Sequence, residues 1–291
     1  DNATPSGTLN VGGTYDDNGT TKTYEGTVNL NNTVTQKEVN VNSGTANFND
    51  ELKSENLTNK ANMNIGASNL QVTNAVDNQG VLNLSDGNLA SNITTTETTG
   101  TTNITGNVTN NSDKTIAQRE INVTGSLTTS ADNVSATEGI SNSGSLVLSG
   151  NTISSQITGI GTTTINGNLE TNADITQGIV IINNLNSLTN NAEFTVTKNL
   201  MLNGTFTNNT TTNYGGAISN DGTITYIEGT FGSSIDSTKG NSAKYGGAIY
   251  NNGSLTRVGN ADNLTTGFYY NSTTYNGGAL FNETSKTITT V

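Results

Sequence analysis

Tyr214-Gly215-Gly216-Ala217-Ile218 recurs as Tyr245-Gly246-Gly247-Ala248-Ile249 and again as Gly277-Gly278-Ala279-Leu280. Both intervals are 31 residues, and Asn220, Asn251 and Asn282 keep one register through the three copies. Gly222 with Gly253, Thr223 with Ser254, and Ile224 with Leu255 hold the same register. Self-similarity at a fixed interval of this size marks units that cannot bury their apolar face alone and must stack on one another. In such a stack the paired glycines allow a sharp corner or a positive φ that a Cβ would hinder. Ala217 is small enough for a crowded corner and Ile218 suits the interior, or the reverse. The recurrent Asn predicts an amide ladder, each side chain bonding the next.

Upstream, aliphatic residues come in alternating pairs: Leu9 and Val11, Val28 and Leu30, Val39 and Val41, Met63 and Ile65. Leu70 and Val72, Leu82 and Leu84, Ile121 and Val123, Leu146 and Leu148, and Phe194 and Val196 continue the pattern. Period-two alternation puts both members on one face of a strand. The pairs return at roughly twenty-residue intervals, as in Met63 to Leu82 and Thr102 to Ile121, the range of a solenoid coil. Most are followed by Gly or Asn and a second short apolar step: Asn64-Ile65-Gly66 leads to Leu70, and Asn122-Val123-Thr124-Gly125 to Leu127. No stretch carries helical periodicity. The fold expected is all-β, a right-handed parallel β-helix, with N-terminal coils or a cap over 1–50, Asn/Thr-rich coils over 51–205 and the 31-residue repeat coils over 206–291. Val291 falls in mid-repeat, so the chain is expected to be cut there, and its opening at Asp1 reads as a segment of something longer.

Composition narrows the function. Asn and Thr dominate the 291 residues, and only 12% are charged. Leu, Ile, Val and Phe make up about a fifth of the chain, near the level at which disorder competes with folding. Their ordered alternation argues for folding, because only one side chain in two must face a narrow core. There is no Cys and no His, which removes zinc sites, thiol nucleophiles, His-based triads and disulfides. The absence of Cys also suits a chain kept unfolded while it crosses a membrane. A net charge of −12 makes nucleic acid and anionic lipid poor partners. The longest apolar run, Ile179-Val180-Ile181-Ile182, is too short to insert in a bilayer.

Phe206-Thr207-Asn208-Asn209 ahead of Gly215-Gly216-Ala217-Ile218 resembles the paired FxxN and GGA[ILV] motifs of the chlamydial polymorphic membrane proteins. Phe268-Tyr269-Tyr270-Asn271 ahead of Gly277-Gly278-Ala279-Leu280 repeats the pair with the same offset. In the middle copy, constant spacing places Ser237 where Phe is expected and Gly240 where Asn is expected, so only its GGAI half matches. The motifs span residues 206–282, and the rest of the chain shares only a general Asn/Thr/Gly-rich texture with autotransporter passengers. The resemblance implies a type V secreted passenger, exported through a C-terminal translocator barrel lying outside this chain and displayed at the bacterial cell surface or secreted. It implies a non-catalytic adhesin or rigid stalk, with a host-cell receptor or glycan as partner and no cofactor. The alternative is a β-helical polysaccharide-degrading enzyme, of tailspike or pectin-lyase type.

Seven of the nine Tyr follow position 213, and Tyr offers large contact area at modest entropic cost. Tyr250, Tyr269 and Tyr270 are the candidate contact residues; in a strand, one of the neighbours Tyr269 and Tyr270 would point outward. Against that stands a structural role, with Tyr214 stacked on Tyr245 and with Phe206 and Phe268 filling the interior. For an enzyme, Asp221, Glu228 and Asp236 are close in sequence but lack a basic partner, and Arg119 and Arg257 lie far apart. Asp16-Asp17-Asn18-Gly19 lacks the alternating ligands of a calcium loop and reads as a turn. The Thr runs near 94–102 and 162–164 keep no constant spacing, as an ice-binding face would require.

Overall fold

A computed structural model describes residues 6–150, 152–167, 169–183, 188–190, 194–203, 205–206, 209, 213–220, 223–259 and 266–291. The chain is a parallel β-solenoid, and among the described residues helix is confined to single 3-10 turns such as Ala67–Asn69 and Ala131–Asn133. Two compact units can be distinguished, Asp1–Ser145 and Leu146–Val291. Among the described residues no helix is long and apolar enough to cross a membrane.

In the first unit a coil runs through three short strands, such as Val76–Asn78, Val81–Ser85 and Gly87–Leu89, before Ile93 pairs back onto Val76. Parallel pairing then lays like on like. One inward column reads Val28, Ala46, Met63, Leu82, Thr102, Ile121 and Ile140, and its neighbour Leu30, Phe48, Ile65, Leu84, Ile104, Val123 and Asn142. A facing column runs Val39, Leu57, Val76, Ile93, Ile116 and Val134. From Val39 to Ile140 the aliphatic members are at most 8% exposed. The sequence-predicted registers of Met63 with Leu82 and of Thr102 with Ile121 are both present. Residues 1–50 already contribute coils, since Thr8–Val11 pairs with Val34–Val41 and Thr27–Leu30 with Thr45–Phe48. Between them Thr14–Asp17 and Thr20–Thr23 form an antiparallel hairpin. Its Asn18-Gly19 corner has φ of 54° and 79°, the paired positive values of the tight hairpin turn that Asn-Gly favours. Asp16 accepts from the Gly19 amide at 2.7 Å, so the acidic cluster closes a turn.

Polar residues are ordered by the same register. Between the two inward columns, Asn29, Asn47, Asn64, Asn83, Asn103 and Asn122 point outward, and each of the last five donates from Nδ2 to the Oδ1 one coil earlier at 2.6–3.0 Å. All of these bonds run the same way, so the amide dipoles reinforce one another. A second set is internal: buried Asn59 donates to Asn78 at 2.8 Å, and Asn78 to Gln118 at 2.6 Å. Asn59 and Asn78 also reach the backbone carbonyls of Val81 and Thr101. Buried amides are tolerable because these bonds replace the lost water.

In the second unit the Gly-Gly-Ala corner explains its own sequence. Gly215, Gly246 and Gly277 have φ of 57°, 61° and 73°, and a Cβ at Gly215 or Gly246 would lie 1.9 or 2.1 Å from the carbonyl oxygen of Ile218 or Ile249. The second glycine answers to the next coil instead. A Cβ on Gly216 would sit 2.2 Å from the Gly247 oxygen, and one on Gly247 2.2 Å from the Gly278 oxygen. Within the corner, the amides of Ala217 and Ile218 both donate to the Ala248 carbonyl at 2.9 Å, and those of Ala248 and Ile249 to the Ala279 carbonyl at 2.8 and 2.9 Å. Ala217, Ile218, Ala248 and Ile249 are all at most 1% exposed, so both apolar positions fill the interior; Ala279 and Leu280 on the outermost coil are half-buried. The predicted ladder is present as well: Asn220 donates to Asn251, and Asn251 to Asn282, each at 2.6 Å. Phe194 and Val196 pair in register with Ile175 and Gln177 through their backbones; their side chains lie outside the described ones.

The middle repeat departs from the sequence reading. Phe206 pairs with Phe231 and Phe231 with Phe268, and the rings stack at 4.6 and 5.0 Å. The Asn position is filled too: Asn209 donates to Asn241 and Asn241 to Asn271, each at 2.8 Å. Asn241 also donates to the Phe206 carbonyl at 2.8 Å, and Asn271 to that of Phe231 at 3.0 Å, tying each rung to a neighbouring strand. The middle copy therefore keeps both halves of its motif. Its Phe and Asn are separated by an insertion that carries Ser237–Lys239, and constant spacing pointed instead at Ser237 and Gly240 inside that insertion. Phe231→Ala is expected to cost about 3–5 kcal/mol in denaturant unfolding, the range for a buried phenylalanine. Ser237→Ala should stay within about 0.5 kcal/mol, as at other exposed sites. In this 291-residue chain Gly247→Ala should fold poorly. Gly278→Ala, whose Cβ would meet nothing nearer than 3.9 Å, should fold as the parent does, by circular dichroism and melting.

Candidate binding face

The corners that fix the backbone also line up what precedes them. Tyr214 bridges to Tyr245 in parallel register, and the Gly215 amide donates to the Tyr245 carbonyl at 3.0 Å. Their rings stack at 5.7 Å, and Tyr245 stacks on Tyr275 at 5.3 Å. Tyr275 stands one residue further from its glycine than the other two. A register shift between Ala243 and Tyr245 pairs Tyr245 with Asn276, and the Tyr275 ring, one position earlier, still reaches the row. Tyr214 and Tyr275 are 47% and 63% exposed, and Tyr245 between them is partly covered. Lys244 sets its ammonium 5.0 Å from the Tyr275 ring and 5.7 Å from that of Tyr245, within range of cation–π attraction. The sequence expectation that Tyr214 stacks on Tyr245 is met, and the row extends a coil further.

A second row, of buried Tyr250 and half-buried Phe281, backs the first. Tyr250 is 5% exposed, lies 4.4 Å from Tyr214 and 5.7 Å from Phe281, and donates its hydroxyl to Glu283 at 2.9 Å. Expected as a contact residue, Tyr250 instead supports the exposed row from beneath.

Tyr269 and Tyr270 are both exposed, at 38% and 58%. The alternation expected of a strand fails because Gly267–Phe268 ends just before them and Tyr270 takes φ 52°, a turn conformation. The inserted loop of the middle repeat lies against their backbone: a Cβ at Gly232 would meet the Tyr269 oxygen and one at Gly240 the Tyr270 oxygen. At the loop's crest Ile235 is 95% exposed. Its neighbour Asp236 caps the Ser237–Lys239 turn, accepting from the Thr238 amide at 3.0 Å and its hydroxyl at 2.6 Å. Ile235 was invisible to a reading by repeat, because an insertion has no counterpart in the other copies.

The Thr238 hydroxyl, then its amide, hold the Asp236 carboxyl below the usual aspartate value, with Lys239 adding to the effect. A carboxyl depressed in the folded state stabilises above its unfolded pKa, and that contribution is lost as pH falls through the folded value. Acidification past the ordinary aspartate range is thus expected to release this loop while the coils stay ordered. Following the Thr238 amide by NMR checks it: Asp236→Ala, which removes the accepting oxygens, should show the released signal at neutral pH.

The residues considered for catalysis do not share one setting. Glu228 is 7% exposed, Asp236 is the cap just described, and Asp221 lies outside the described residues. Arg119 is held by Glu120 at 3.2 Å and by Glu138. Among the described residues no group of acidic side chains is placed to hold a metal ion. An open recess of about 600 Å³ in the first unit is lined by Lys53, Ser54, Glu55, Gln71 and Asn74 among others, and Lys53 is paired with Glu51 at 2.7 Å.

No family model, curated protein or solved structure matches this chain.

Proposed function

We propose that this chain is a non-catalytic passenger segment displayed at a bacterial cell surface, acting as an adhesin or as a rigid stalk that carries one. The observation that carries the reading is the solvent-facing aromatic set of the last three repeats, the Tyr214–Tyr245–Tyr275 row with Tyr269 and Tyr270, together with Ile235 on the insertion. Exposed aromatics with rigid backing are the usual anchors of recognition surfaces, since little side-chain entropy remains to be lost. Because the inner faces of the row are covered by one another, it offers ring edges and hydroxyls in line. Such a surface suits a host-cell receptor or glycan. The resemblance to the chlamydial polymorphic membrane proteins supports surface display, and the net charge of −12 disfavours nucleic acid and anionic lipid.

Binding of the purified chain to cultured animal cells and to a glycan array tests this. A variant combining Ile235→Ser, Tyr269→Ser and Tyr270→Ser alters only exposed positions and is expected to keep the fold. If these residues include an anchor worth about 2 kcal/mol, binding should fall roughly thirty-fold. Release of sugar products from a polysaccharide by the parent chain would favour the β-helical enzyme instead. Absence of both binding and product would leave the stalk as the reading.

A further inference from the structure

We propose that the Tyr214–Tyr245–Tyr275 row is a site of oxidative tyrosine coupling, at which a peroxide-driven one-electron oxidant joins neighbouring coils by a carbon–carbon bond. The inference goes beyond the surface-display reading and does not rest on it. It starts from what the chain lacks. With no Cys, no His and no Trp, the oxidisable side chains are nine Tyr and two Met, of which Met63 is fully buried. A radical oxidant arriving from solvent therefore meets phenols, and those of Tyr214 and Tyr275 are well exposed.

The fold supplies the second requirement, a partner held in place. Rings at 5.7 and 5.3 Å stand on backbone already bridged or paired from coil to coil, so two phenoxyl groups cannot drift apart before they couple. Holding two reactants this way gives a high effective concentration and favours coupling within one chain over coupling between chains. Tyr250 is removed from the reaction by burial and by its bond to Glu283. Tyr269 and Tyr270 are chain neighbours with no ring stacked on either among the described contacts. In the first unit Tyr15 and Tyr24 are both exposed beside one recess and form the competing pair.

In the balanced reaction each phenol loses its hydroxyl hydrogen as one electron and one proton. The two phenoxyl radicals form a bond between ring carbons ortho to oxygen. Loss of the ortho hydrogens to the oxygens restores both phenols. Two tyrosines and one hydrogen peroxide thus give one dityrosine and two waters, with a haem peroxidase as the external catalyst. The product ties successive coils of a chain that has no disulfide to do so.

The test is oxidation of the dilute, folded chain by horseradish-type peroxidase and hydrogen peroxide, followed by mass spectrometry of the monomer and peptide mapping. The expected result is monomer lighter by two hydrogens, with dityrosine fluorescence and with Tyr245 linked to Tyr214 or Tyr275. Tyr245→Phe should lower the intrachain cross-link mapped to this row at least about ten-fold, while Tyr214→Phe or Tyr275→Phe leaves the other pair reactive. If Tyr245→Phe fails to fold, the Tyr214→Phe/Tyr275→Phe double variant should show the same loss. The proposal is overturned if no dityrosine forms, if it forms only between chains, or if mapping finds only Tyr15 joined to Tyr24.

Discussion

Parallel in-register pairing is the constraint on which the rest depends. Evenly spaced backbone bonds between parallel strands place each residue over its counterpart one coil away, at the strand spacing. Whatever a side chain needs, its neighbour above must therefore supply. Aliphatic residues find aliphatic residues, phenylalanines find phenylalanines, and amides find amides. A chain with only 30% hydrophobic residues can form a buried core under this rule, because each coil contributes a few inward positions and the stack makes the columns continuous.

Amides show how far the rule reaches. The six-membered ladder from Asn29 to Asn122 runs along the outer surface. Asn59 and Asn78 with Gln118, and Asn220 with Asn251, put the same chemistry inside. Each such bond contributes about 1 kcal/mol net, but a buried amide left unmatched costs about 1–3 kcal/mol. The internal ladders therefore act as register keys: a slip of one residue would strand several amides at once and turn the aliphatic columns outward. The external ladder carries a smaller penalty, since water can satisfy its amides.

The aromatic rows follow from the same register but serve two ends. Phe206, Phe231 and Phe268 form the internal stack, and Tyr250 with Phe281 a backing layer. Tyr214, Tyr245 and Tyr275 form the solvent-facing row. The glycine corners hold these rows in place because they leave the backbone no alternative course: one glycine must take positive φ and the next must let the adjacent coil approach. The solvent-facing row, on which both proposals draw, thus adjoins backbone that the glycine corners constrain closely.

Much of this was legible in the residues alone. Period-two pairs and the 31-residue interval determined the solenoid, the Asn220–Asn251–Asn282 ladder and the stacking of Tyr214 on Tyr245, because each depends only on local alternation and constant coil length. The outer ladder is legible too, in the asparagine that stands between the two core residues of Val28-Asn29-Leu30, Met63-Asn64-Ile65, Leu82-Asn83-Leu84 and Ile121-Asn122-Val123. Tertiary structure alone decided where coil length changes. Phe231 and Asn241 complete the middle motif across an insertion, Tyr275 joins its row across a register shift, and Tyr250 turns inward while Tyr269 and Tyr270 both turn out. Counting along the chain cannot find these positions. They are set where backbone hydrogen bonds to the neighbouring coil close, and a loop can lengthen at the surface without disturbing those bonds.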